Sequence, residues 1–100
     1  MDASVQQAAE AAAFRRLLKH FQHRTDVQNI DLMGLSGFCR NCLSDWYKDA
    51  LAQEGVDIDK AAAREHVYGM PYGDYKDQFQ TEATQAQIDA MNASVAKNKA

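Results

Sequence analysis

Phe38, Cys39, Cys42, Leu43, Trp46, Tyr47, Ala50 and Leu51 recur at intervals of three and four over almost four helical turns. That spacing is the apolar stripe of an α-helix and does not suit a strand, whose faces alternate every second residue. Arg40, Asn41, Ser44, Asp45, Lys48, Asp49 and Gln53 fill the opposite side. A stripe this wide marks the central helix of a bundle, covered on its apolar side by other helices. The pattern predicts a helix from about Gly37 to Gln53, stopped by Gly55 at the C′ position. It turns the two cysteines and Trp46 inward together. Truncating a Trp so placed would cost about 3–5 kcal/mol.

The remaining segments read as helices that could supply this cover. Phe14, Leu17, Leu18 and Phe21 share one face of a first helix from about Ala3 to Arg24. Thr25-Asp26-Val27-Gln28 has the form of a capping box and predicts a short helix ending near Gly34. Gly34 and Gly37 then bracket a bend, with Ser36 as a cap. Asp59 caps a helix over Lys60–Tyr68, stopped by Gly69. Pro71 suits the first turn of a helix bearing Tyr72, Tyr75 and Phe79. Thr84-Gln85-Ala86-Gln87 is a second capping box, opening a last helix with Ile88, Met91 and Val95 on one face.

One hundred residues, 46% of them hydrophobic, are enough for one domain with its own core. The expectation is an all-α, compact bundle of five to six helices, a single domain over residues 1–100 with residues 1–4 and 97–100 frayed. A net charge of −3 argues against nucleic-acid binding by bulk charge. Arg15, Arg16, Lys19 and Arg24 form a basic segment, read as a solvated helix face whose cations suit the C-terminal dipole. Two cysteines are too few for a disulfide scaffold. No apolar run approaches a membrane span, and Met1–Gln7 does not resemble a signal peptide, so a cytoplasmic location is expected.

The Cys39-x-x-Cys42 pair has three readings. It can pack as core, since free cysteine behaves as a small hydrophobe. It can be a thiol-redox pair, although i and i+3 residues of a regular helix hold their Cβ atoms farther apart than a disulfide needs. It can be half of a zinc site, completed by His66 or by the same pair of a second chain. His20 and His23 belong to the solvated side of the first helix and would not converge on the cysteines. Tyr68, Met70, Tyr72, Tyr75 and Phe79 form an aromatic-rich segment suited either to an interface or to closing the bundle's end. No paired carboxylates, nucleophile triad or phosphate loop is present.

The blocks Gly37-Phe38-Cys39-Arg40-Asn41-Cys42-Leu43-Ser44, Tyr68-Gly69-Met70-Pro71-Tyr72 and Asp26–Met33 resemble domain-of-unknown-function family 1244, over about residues 14–92. The resemblance implies a short, mostly helical bacterial protein and supplies no activity or catalytic residue. The functional expectation is therefore a non-enzymatic interaction module that forms a homodimer. Its surface would be the Tyr68–Phe79 segment and the exposed flank of the cysteine helix. The alternative is a metal or thiol protein centred on Cys39, Cys42 and His66.

Overall fold

A computed structural model describes residues 1–99. Among these the chain forms six helices and no strand: α1 (Ala3–His23), α2 (Asn29–Ser36), α3 (Arg40–Gln53), α4 (Lys60–Tyr68), α5 (Tyr72–Phe79) and α6 (Gln85–Ala96). Local chemistry sets most ends. Asp2 and Asp59 accept hydrogen bonds of 2.8 Å from the amides of Ser4 and Ala62. Thr84 and Gln87 form the full capping box at α6. Gly37 and Gly69 close α2 and α4 with φ of 77° and 72°, a region that disfavours any side chain. At Gly37 a Cβ would also meet the Asn98 side chain at 2.5 Å.

The core is built by four of the six helices. Leu18 of α1, Leu43 of α3, Val67 and Tyr68 of α4, and Tyr75 of α5 are its buried members. Phe14, Leu17, Phe21, Phe38, Met70, Tyr72 and Phe79 pack around them. The other two helices, α2 and α6, pack on each other, so closely that a Cβ at Gly34 would lie 3.4 Å from that of Ala90. Neither buries any residue fully, and Leu35 of α2 is 87% exposed. The chain is the all-α bundle expected, elongated along one axis: its extents are 47 × 34 × 24 Å and its radius of gyration 15.1 Å.

Three sequence expectations are corrected. Thr25 does not cap α2. Gln28 holds the N-cap position, and its side chain is engaged elsewhere, donating to the Phe79 carbonyl and accepting from the Thr81 amide. α2 runs through Gly34 to Ser36, because Gly37 supplies the left-handed stop. The third correction concerns α3, whose buried face is turned from the apolar stripe by a little less than one residue step, about 100°. Arg40 and Ser44, expected on the wet side, are 1% and 0% exposed, while Trp46 is 55% exposed. α3 packs on α4, where Ala63 and Val67 are buried and Val67 shares the core cluster with Leu43. The expected inward grouping of both sulfurs and the indole therefore does not hold: Cys39 is buried, Cys42 half-buried and Trp46 outside.

Two hydrogen bonds lie near the ends. Asp2 caps α1, and Asn98 donates to the Gly37 carbonyl at 2.9 Å; Ala100, also expected to fray, lies outside the described residues.

Chemical denaturation should separate the two faces of α3. Leu43→Ala should cost about 2–5 kcal/mol, and Trp46→Ala about 1 kcal/mol or less, reflecting mainly its ring contact with Phe38. Equal losses for the two would contradict this orientation.

Candidate functional site

The first turn of α3 carries the densest polar chemistry in the molecule, and Arg40 is its centre. Its Nη1 donates to the Val27 carbonyl (2.9 Å) and to Asn29 Oδ1 (3.0 Å). Its Nη2 donates to the carbonyls of Phe21 (3.2 Å) and Arg24 (2.9 Å). Those two carbonyls belong to the C-terminal end of α1, where no further amides of the helix remain to bond them. A cation there also meets the negative end of the helix dipole. Arg40 thus caps α1 from another helix. The guanidinium lies over the rings of Phe21 and Tyr75, 4.9 and 5.6 Å from their centroids. Among the described residues no carboxylate pairs with it, and its Nε is buried without a partner.

From Arg40 a line of hydrogen bonds crosses the molecule. Asn29 Nδ2 donates to the Tyr68 hydroxyl (2.9 Å), which donates to Asn41 Oδ1 (2.7 Å). Asn41 Nδ2 in turn donates to the Tyr72 hydroxyl (3.3 Å). The line joins the starts of α2, α3 and α5 to the end of α4. It also joins the three sequence blocks singled out above. Burial pushes the Tyr68 phenol well above its ordinary range, and burial likewise raises Tyr75. Both hydroxyls are therefore held neutral, which suits Tyr68 to a structural relay and neither to a catalytic base.

The cysteines sit at the same turn. Cys39 is the N-cap of α3, with extended backbone (φ −140°, ψ −172°), so it lies just outside the helix. Burial raises its thiol, partly offset by the nearby backbone amides of Asn41 and Cys42. Cys42, one turn inside, approaches the Met33 sulfur at 4.0 Å. His66 is not brought to the pair. It is exposed and stacks on Tyr47, ring centroids 4.2 Å apart. Among the described residues no three His, Cys, Asp or Glu side chains are grouped to hold a metal.

The aromatic segment divides. Tyr68 and Tyr75 are core residues, in contact at 4.5 Å between centroids, so they offer no face to a partner. Met70, Tyr72 and Phe79 are half-buried around them. Tyr72 edges an open cleft of about 680 Å³ with Lys60 and Arg64, but Asp59 and Glu65 line it too and leave it without net charge. Sequence reasoning missed a second feature. Ala11 and Phe14 of α1 and Leu43, Trp46, Tyr47 and Ala50 of α3 form an apolar groove of about 400 Å³. Its signal was a stripe on α3 wider than one packing neighbour can cover.

The fold and this turn define an all-α protein organised around a buried arginine, with an apolar groove on its outer face. A family model described as protein of unknown function (DUF1244) matches residues 27–93, and the chain belongs to that family. A search of curated proteins found no match. No described helix is long and apolar enough to cross a membrane.

Arg40→Lys keeps the charge but cannot span four oxygens, so it should lower stability by about 2 kcal/mol or more. A loss within ±0.5 kcal/mol in urea denaturation would contradict the capping role. Because the folded state holds the Tyr68 proton more tightly, the associated stability is complete below the ordinary phenol value of 10.0 and falls as pH rises above it. Tyr68→Phe should flatten part of that alkaline decline, Tyr75 supplying the rest. It should also cost about 1–3 kcal/mol at neutral pH by stranding Asn29 and Asn41. An unchanged alkaline slope would contradict the assignment.

Proposed function

We propose that this chain is a non-enzymatic interaction module that pairs with a second copy of itself through the groove of Trp46. The observation that carries this reading is the exposure of that indole, at 55%, above an apolar groove walled by α1 and α3. Contiguous apolar surface of this kind on a small domain marks an association site. Tryptophan at the centre of such a surface is the residue type that most often dominates binding.

What argues for a second copy is the continuation of the groove's own wall. α1 is 21 residues long, and residues 3–10 are exposed on every side. This free end contains Ala3, Val5, Ala8 and Ala9, and Ala11 next to it already lines the groove. Small residues allow another helix or a flat indole to come close. Placed about a two-fold axis, the free end of each α1 lies along the groove of the other copy, one patch meeting itself. The bulky side chains of the groove then meet the small ones of the free end. The half-covered α2–α6 pair, with Leu35 in water, leaves further apolar surface for association.

The shifted groups favour binding over catalysis. Tyr68, Tyr75 and Cys39 are all moved by burial toward their neutral forms, the reverse of what activates a base or nucleophile.

Trp46 is the sole tryptophan, so it reports on its own surface. Light scattering should give twice the chain mass at tens of micromolar, with indole emission moving to shorter wavelength as concentration rises. Trp46→Glu should scatter as a single chain while keeping its helical circular dichroism. A wild-type protein that stays a single chain with water-exposed emission up to millimolar concentration would overturn the proposal.

A further inference from the structure

We infer that Cys39 and Cys42 form a reversible intramolecular disulfide, making the start of α3 a thiol–disulfide site for low-molecular-weight disulfides. The obstacle for such a pair on a regular helix is the separation of i and i+3 side chains. Here it is lifted, because Cys39 is not on the helix. It occupies the N-cap with extended φ and ψ, and Cys42 occupies N3. These are the two positions that a capping box links, each side chain reaching back to the other residue's amide, so both side chains lie on the same side of the turn. The two thiols are near enough for each to feel the other's charge, Cys42 being among the groups that hold the Cys39 thiol up. The rest of the turn is fixed: Arg40 between the two is anchored by four oxygens, so the cysteine backbones are held in place while the sulfurs swing.

Exposure sets the order of events. Cys39 is 6% exposed and Cys42 half-buried, so Cys42 is the sulfur a small reagent reaches. The Cys42 thiolate attacks one sulfur of a disulfide RSSR, forming a mixed disulfide and releasing RS⁻. Cys39 loses its proton to solvent and attacks the Cys42 sulfur, expelling the second RS⁻. Two protein thiols are oxidised and one small disulfide is reduced: the two protons they lose pass through water to the two RS⁻, giving two RSH. Burial keeps Cys39 protonated until its partner is activated, which limits it to the resolving role. Trp46 lies one turn beyond Cys42 on α3, and Phe38, which stacks on Trp46 at 5.7 Å, directly precedes Cys39. The redox state of the pair is therefore adjacent to the indole, whose emission a neighbouring disulfide quenches.

The test uses the full chain, reduced and then equilibrated in mixtures of reduced and oxidised glutathione, acid-quenched and weighed intact. The wild type should become two hydrogens lighter, as a single chain without adduct, with quenched Trp46 emission, and dithiothreitol should reverse both. Cys39→Ser should stop at one glutathione adduct on Cys42. Cys42→Ser should react much more slowly, at least tenfold. A wild type that accumulates the glutathione adduct, that cross-links between chains, or that keeps both thiols free at every ratio would overturn the inference. These readouts do not depend on pairing of copies, because Trp46→Glu, the variant designed to stay a single chain, should show the same mass change.

Discussion

A guanidinium taken out of water with no carboxylate beside it has to be met by other oxygens, and this chain is arranged around that requirement. Arg40 draws on the final carbonyls of α1, the carbonyl of Val27 in the connection, and the side chain of Asn29 at the start of α2. Uncoordinated, a buried cation would cost several kcal/mol. Held this way it fixes where α1 stops, how the chain turns, and where α2 begins. The relay through Asn29, Tyr68, Asn41 and Tyr72 carries the same constraint to α4 and α5. Apolar burial supplies the driving force for the four-helix core, and the arginine with its relay supplies the geometry.

That division explains what could be read from the sequence. Phe14, Leu17, Leu18 and Phe21 announced α1 and its inner face, because periodic apolar burial is written locally. Asp59, Gly69, Thr84 and Gln87 announced helix ends for the same reason: each acts within a few residues of itself. The Thr25 capping box failed because Gln28 finds distant partners at Phe79 and Thr81. The burial of Arg40 was illegible since it depends on carbonyls 13 to 19 residues away, and arginine defaults to the surface in any local reading. Once Arg40 is inside, α3 must turn to accommodate it, and Trp46 turns out. One hidden long-range interaction thus accounts for both errors on α3.

The same rotation shapes the functional reading. It leaves the helix that carries the two cysteines with its largest side chain in water, beside a helix whose first residues are exposed. It also leaves the cysteine pair at the edge of the core, one sulfur covered and one accessible. Both features follow from where α3 was forced to face.

Native-state hydrogen exchange on the amides around Arg40 tests the central claim most directly. The Arg24 amide, bonded to the His20 carbonyl at the end of α1, should exchange only through global unfolding, although helix ends normally fray. The amides of α6, which packs without a fully buried residue, should exchange through smaller openings. If the end of α1 opens locally while α6 is protected to the global limit, the arginine does not hold the fold together.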